Sequence, residues 1–201
     1  MRKPVSRRAF LSLSAAAAAT TLAGCSFSGR APFTYDLMAA EVGEALRRRT
    51  SRTILITEPT AIGVYDSQRI VVREPGGVLS YLPEAQLSDR LPLLLRTRLV
   101  QSFEDRGVQN IARSGDRVNI EIALSTDVRA FELDTTLGAP LAVVTLSSRL
   151  VDEVARRVIA TRTFSAQVQA ASLDNANVVA ALDTAMRNVI NQILVWTTST
   201  V

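Results

Sequence analysis

Val118-Asn119-Ile120-Glu121-Ile122-Ala123-Leu124-Ser125-Thr126-Asp127-Val128-Arg129-Ala130-Phe131-Glu132-Leu133 reads as one long strand with a fault in it. Val118, Ile120, Ile122 and Leu124 alternate with Asn119 and Glu121, the period of a strand with one buried face. By Phe131 and Leu133 the apolar set has moved to odd positions. A pleated strand changes parity only by taking in an extra residue, so a β-bulge is predicted between Asp127 and Phe131.

Toward the C-terminus, Leu141–Val151 and Val158–Val168 read as two further strands joined by Asp152-Glu153-Val154-Ala155-Arg156-Arg157. Val158, Ala160, Phe164, Ala166 and Val168 share a face in the second. Arg162 interrupts that face, so it must lie at an edge, pair with a carboxylate or face a partner. A helix from about Asp174 to Trp196 follows, its stripe made of Val179, Leu182, Met186, Val189, Ile190 and Ile193.

Toward the N-terminus, Val108–Ala112 reads as a strand leading into the hairpin connection Arg113-Ser114-Gly115-Asp116. A first helix is predicted from about Asp89 to Arg106. Pro92 has no N–H and must sit in the first turn, which makes Ser88 or Asp89 the cap; Leu91, Leu94, Leu95, Leu99 and Phe103 form the apolar face, and Gly107 ends the helix. Thr53–Thr57, Arg69–Arg73 and Val78–Leu82 are short β-branched or apolar runs, with Pro59, Pro75-Gly76-Gly77 and Pro83 closing them. Tyr35-Asp36-Leu37 begins the first strand. Between Met38 and Arg52 the pattern is ambiguous: Met38, Val42 and Leu46 recur at helical spacing, while Gly43 and Arg47-Arg48-Arg49 weaken a helix. The expected fold is α+β, a twisted and mainly antiparallel sheet with two long helices packed on one face, in a single domain over residues 35–201.

Residue supply excludes much chemistry. The 201 residues contain no histidine and one cysteine, Cys25. Ser-His-Asp and Cys-His catalysis, zinc sites built on His or Cys, His-ligated haem, iron–sulfur clusters and an intrachain disulfide are thereby ruled out. No nucleophile elbow, dinucleotide fingerprint or P-loop is present, and the spacing of the acids marks no acid/base pair. The expectation is a protein that is not an enzyme, with no catalytic residue, no metal site and no cofactor. The net charge of +4 comes from Arg2, Lys3, Arg7 and Arg8; beyond residue 24, 19 arginines balance 19 acids. A neutral body has little long-range attraction for phosphate backbones, so nucleic acid is a poor partner.

Residues 1–24 have the order of an export signal: a basic start, the mildly apolar run Leu11–Leu22, and small residues at the end. That run is too short and Ala-rich to span about 30 Å of hydrocarbon. Ser6-Arg7-Arg8-Ala9-Phe10-Leu11 resembles the twin-arginine motif through Arg7, Arg8, Phe10 and Leu11; a general secretory signal with an incidental Arg pair is the alternative. Leu22-Ala23-Gly24-Cys25 resembles a bacterial lipobox. That likeness implies cleavage before Cys25, a covalent diacylglycerol and N-acyl chain on its thiol and new amino terminus, and a lipidated tether over 25–34. At about 0.8 kcal/mol per buried methylene, two or three chains make a near-permanent anchor. Ser26 stands where an Asp would resemble an inner-membrane retention signal, so the expected site is the periplasmic face of the outer membrane.

Three further stretches carry a family likeness: Leu55-Ile56-Thr57-Glu58-Pro59, Tyr65-Asp66-Ser67-Gln68-Arg69-Ile70-Val71-Val72-Arg73, and Leu87-Ser88-Asp89-Arg90-Leu91-Pro92 opening a helix. With Val128-Arg129-Ala130-Phe131-Glu132 and the closing amphipathic helix, the chain from Tyr35 to Trp196 resembles the auxiliary lipoproteins of ABC-type lipid transporters, which work beside MCE (mammalian-cell-entry) domain proteins. Two positions depart from that pattern: Leu87 replaces a usual Trp, and Asp152–Arg157 lacks an expected Gly. The resemblance implies an MCE-domain protein and an ABC permease/ATPase complex as partners, with lipid moving between the inner and outer membranes, and leaves room for a homo-oligomer. The candidates for the partner surface are Tyr65, Asp66 and Arg69, at the start of a strand after Gly63, and separately Arg129 and Phe131 beside the expected bulge. A periplasmic lipid-binding carrier, or a structural envelope lipoprotein without a transporter, is the alternative function.

Overall fold

The computed structural model describes residues 31–40 and 50–201. The export signal, the lipobox with Cys25, and the stretch holding Val42, Leu46 and Arg47-Arg48-Arg49 lie outside the described residues. Among the described residues nine strands and two α-helices follow in the order β1 (Phe33–Tyr35), β2 (Ile54–Ile56), β3 (Thr60–Ala61), β4 (Arg69–Arg73), β5 (Leu79–Leu87), α1 (Leu91–Asp105), β6 (Ile111–Ala112), β7 (Ile122–Asp134), β8 (Leu141–Asp152), β9 (Arg157–Gln169) and α2 (Asn175–Thr200).

Strand β7 is the hub. Along one edge it pairs over its whole length with β8, antiparallel, and β8 pairs in turn with β9. Along the other edge lie β2, β3 and β4 in succession, all parallel, opposite residues 122–124, 127–128 and 132–134. These three are pieces of one path, broken at Pro59 and by the loop 62–68. Outward from β4 come β5, antiparallel, and β1, parallel; outward from β2 comes β6, parallel. The expected α+β class holds, but the expected mainly antiparallel sheet does not: among the described residues five of the eight strand pairings are parallel and the sheet is mixed. Period-two patterning shows which side chains are buried and carries no information on the direction of a neighbour.

The predicted bulge is present. Val128 pairs with Leu146 and Ala130 with Thr145, leaving Arg129 as the extra residue. Ile122, Leu124 and Val128 are buried before it, Phe131 and Leu133 after it. The strand starts later than its alternation suggests, since β8 ends at Asp152 opposite Ile122 and Val118 is 52% exposed. In β8, Ala142, Val144, Leu146, Ser148 and Leu150 are buried while Arg149 is exposed, so one face of the sheet carries the core. A second register shift lies between Leu150 and Val151, opposite Ala160 and Val158. It turns Val158 off the shared face expected for it, and Val158 is 51% exposed.

Both helices form where the apolar stripes predict them. In α1 all five expected face residues are buried, Pro92 sits in the first turn, and Arg90 rather than Ser88 or Asp89 occupies the cap. Ser88 donates instead to Asp36 Oδ1, and Asp89 Oδ1 accepts from the Arg90 N–H. Helix α2 continues beyond Trp196 to Thr200, and in this last turn Thr198 and Thr200 donate their hydroxyls to the carbonyls of Leu194 and Trp196. All six stripe residues of α2 are buried with the core of the sheet.

Two turns differ from expectation. Pro83 does not end its strand: β5 runs on to Leu87, and Pro83-Glu84 fill the register shift between β4 and β5, where no ladder bond is required of them. Glu84 has φ +53°, as such a bulge demands. Arg113–Asp116 makes a turn, yet β6 before it pairs with β2 and not with β7, so no hairpin forms there. In the loop between β8 and β9, Arg156 takes the left-handed place (φ +53°) expected of the missing Gly. The carboxylate of Asp152 holds that loop by accepting from the Val154 and Ala155 N–H groups and from Arg52.

Gly107 caps α1 at φ +79° with no atom within 4 Å of the Cβ it lacks. Gly107→Ala should therefore cost about 1 kcal/mol through backbone conformation alone. Leu146→Ala, in the buried centre of β8, should cost about 2–5 kcal/mol. Urea denaturation of the two variants checks both size and order.

Candidate functional site

The loop after β3 turns tightly, with the N–H groups of Tyr65 and Asp66 both donating to the Ile62 carbonyl at 2.9 and 3.0 Å. The turn sends Tyr65 inward and leaves Asp66 at the surface. Tyr65 is 2% exposed, and its hydroxyl donates to Glu132 Oε2 at 2.6 Å. Arg73 of β4 binds the same carboxylate through Nε at 2.5 Å and Nη2 at 3.0 Å, a two-pronged ion pair. Burial, and then the adjacent Glu132 carboxylate, push the Tyr65 phenol up from 10.0 to about 12. Hydrogen bonding to Glu132 raises the Arg73 guanidinium further above its ordinary value.

Of the five residues expected at a partner surface, Tyr65 and Phe131 are thus in the interior; Phe131 is 2% exposed and packs in the core. They support the surface from behind. Asp66, Arg69 and Arg129 are exposed. Asp66 Oδ1 accepts from Arg90 Nε at 2.9 Å and Nη2 at 2.5 Å, while the Arg69 guanidinium stacks 3.7 Å from the Tyr81 ring centroid. Arg129 Nε lies 2.6 Å from Asp127 Oδ2.

The structure links the two groups that the sequence leaves separate. Glu58 meets Arg90 at 3.8 Å and Arg96 at 3.7 Å, so Asp66, Arg90 and Glu58 form a chain of charge. Glu58 also lines a cleft of about 320 Å³ that contains Arg129. The cleft lies across β7, β8 and β9 at the bulge. Its walls include Ser125, Asp127, Ser147 and Arg149, which alternate with buried residues of β7 and β8, and Thr161 of β9 opposite Arg149. Glu58 and Glu132 lie in stretches that carry the family likeness but, like Arg149, are not among the site residues expected from the sequence. Glu132 alone carried a local signal, an acid between two core residues in a strand predicted to be covered.

Arg162 lies on β9, which among the described residues pairs with β8 alone. It sits at the sheet's edge, its guanidinium 5.2 Å from the Phe164 ring. Phe164 meets Trp196 of α2 edge to face, 5.4 Å apart at 62°. Val195, Asn191 and Gln192 complete an open groove of about 360 Å³ there. Among the described residues no cluster of acids could hold a metal ion, and no helix is long and apolar enough to cross a membrane.

Residues 35–194 match the family described as the ABC-type transport auxiliary lipoprotein component. The crystal structure of XCC0632 from Xanthomonas campestris, assigned to the family DUF330, superposes with a TM-score of 0.76 at 29% identity, covering 84% of this chain and 96% of that one. A second crystal structure, of an uncharacterized protein, shares the fold alone: TM-score 0.66 at 11% identity, over 84% of this chain and 99% of the other. An uncharacterized Bradyrhizobium diazoefficiens protein, bll6063, is 28% identical over 168 residues. The match takes in 82% of this chain but only 44% of that protein's length.

Removing Glu132 leaves the buried Tyr65 hydroxyl without its acceptor, while the Arg73 guanidinium, about a third exposed, turns to water; Glu132→Ala and Tyr65→Phe should therefore each cost about 1–3 kcal/mol. Because folding raises the Tyr65 pKa, its contribution is full below pH 10.0 and is lost as pH rises toward about 12. Ultraviolet titration of tyrosinate, compared between wild type and Tyr65→Phe, should show one late-titrating phenol that the variant lacks.

Proposed function

This chain belongs to the ABC-type transport auxiliary lipoprotein family, and we propose that it serves the outer-membrane end of an MCE-type lipid transporter. The observation that carries the reading is the placement of Leu22-Ala23-Gly24-Cys25 ten residues before a domain of that family, which starts at residue 35. Cys25 receives diacylglycerol and an N-acyl chain, and the lipid holds the domain on the periplasmic face of the outer membrane. ATP hydrolysis belongs to the partner ATPase, and the path of lipid between the membranes to the permease and the MCE-domain protein. The body itself is not an enzyme; it supplies a docking surface.

Three features support that role. The supply of His and Cys leaves few catalytic options. Among the described residues the outer edge of β9, 13 residues long, has no neighbouring strand, which suits extension by another strand. Asp66, Arg69 and Arg129 present fixed charge beside a rigid sheet, and this is the surface on which the partner is placed.

The wild-type chain should fractionate with outer membranes on a density gradient and carry acyl mass, whereas Cys25→Ala should appear unacylated in the soluble periplasm. Affinity capture from detergent-solubilised envelopes should recover MCE-domain or ABC subunits. Repeated recovery of neither would remove the proposal.

A further inference from the structure

The cleft on β7, β8 and β9 has an uneven charge account. Arg129 is paired with Asp127 at 2.6 Å, Arg90 with Asp66 at 2.5 Å, and Arg96 with Glu58 at 3.7 Å. Each acid of this surface is therefore engaged. Arg149 differs. It is exposed, it lines the cleft, and among the described residues its side chain has no carboxylate within 4.0 Å and no hydrogen bond.

Its ladder neighbours are hydroxyls, and the two carboxylates that also line the cleft, Glu58 and Asp127, are held by Arg90, Arg96 and Arg129. Ser125 of β7 and Thr161 of β9 stand opposite Arg149 in the two ladders, one on each side. Neither hydroxyl makes a side-chain hydrogen bond among the described residues. Ser147, the neighbouring outward position on β8, also lines the cleft and accepts only a long 3.4 Å bond from Thr163. A guanidinium fork flanked by hydroxyl donors on a rigid sheet matches an anion with several acceptor oxygens, and Arg geometry suits a phosphate best. The volume of about 320 Å³ exceeds that of phosphate alone and leaves room for a small polar substituent.

We propose that this cleft binds a phosphate ester, with the Arg149 guanidinium as the anchoring charge and Ser125, Thr161 and Ser147 as hydrogen-bonding partners. The chemistry is shared by a phospholipid headgroup and by a free phosphate ester. The inference stands on the cleft and not on the transport reading, so either can fail without the other.

The test is titration calorimetry of the mature chain, as isolated from the envelope, in dodecyl maltoside micelles. The probes are sn-glycerol 3-phosphate, dihexanoyl phosphatidylglycerol and dihexanoylglycerol, the last lacking phosphate. Saturable binding of a phosphate-bearing probe is expected, weakened at least about tenfold by Arg149→Gln and unchanged by Arg117→Gln on the exposed loop outside the cleft. Equal binding of glycerol 3-phosphate and the short-chain lipid supports a free ester as ligand; binding of the lipid alone supports a headgroup. Because Arg149 has no carboxylate or hydrogen-bond partner to lose among the described residues, Arg149→Gln should unfold at the wild-type temperature, which separates lost binding from lost fold. Three results overturn the proposal: no saturable binding of either phosphate probe, equal binding of dihexanoylglycerol, or affinity undiminished in Arg149→Gln.

Discussion

Strand β7 must satisfy hydrogen bonds along both of its edges, and the arrangement of the molecule follows from how it does so. One edge is filled by β8 over its full length, the other by three short parallel pieces between Ile54 and Arg73. A buried backbone group without a partner costs about as much as a lost hydrogen bond, so each break in the second edge has to be closed by something else. The loop after β3 is such a closure. It is here that Tyr65 is driven inward onto Glu132.

The carboxylate of Glu132 lies in the interior, 4% exposed. A buried charge is tolerated only where its lone pairs are engaged, and the Tyr65 hydroxyl with two Arg73 donors meets that condition. The three residues come from the loop, from β4 and from β7, so the network ties the broken edge of the hub to its neighbour. Asp66, the next residue in the same turn, is exposed and pairs with Arg90, which also meets Glu58.

The bulge has a comparable reach. By setting Arg129 outside the ladder it returns Phe131 and Leu133 to the core face. It also positions a cation beside Asp127 at the mouth of the polar cleft. A core requirement and a surface feature thus have one cause.

Much of this was legible in the residues alone: the parity change that marks the bulge, the stripes of both helices, the Gly107 stop and the long strands β8 and β9. Those features are local, because periodicity and backbone restriction act within a few residues. The parallel course of β2, β3 and β4 along β7 was not legible, nor was the passage of β5 through Pro83. Each depends on which strand arrives alongside, and no residue within the strand encodes that. The same holds for the site. Composition excluded His and Cys chemistry and the lipobox resemblance pointed to an anchor, but which of Tyr65, Asp66, Arg69, Arg129 and Phe131 faces solvent was decided by the closure of the sheet. Residues far apart in the chain, such as Arg149 and Ser125, become one surface only through ladder register, and that is a property of the folded sheet.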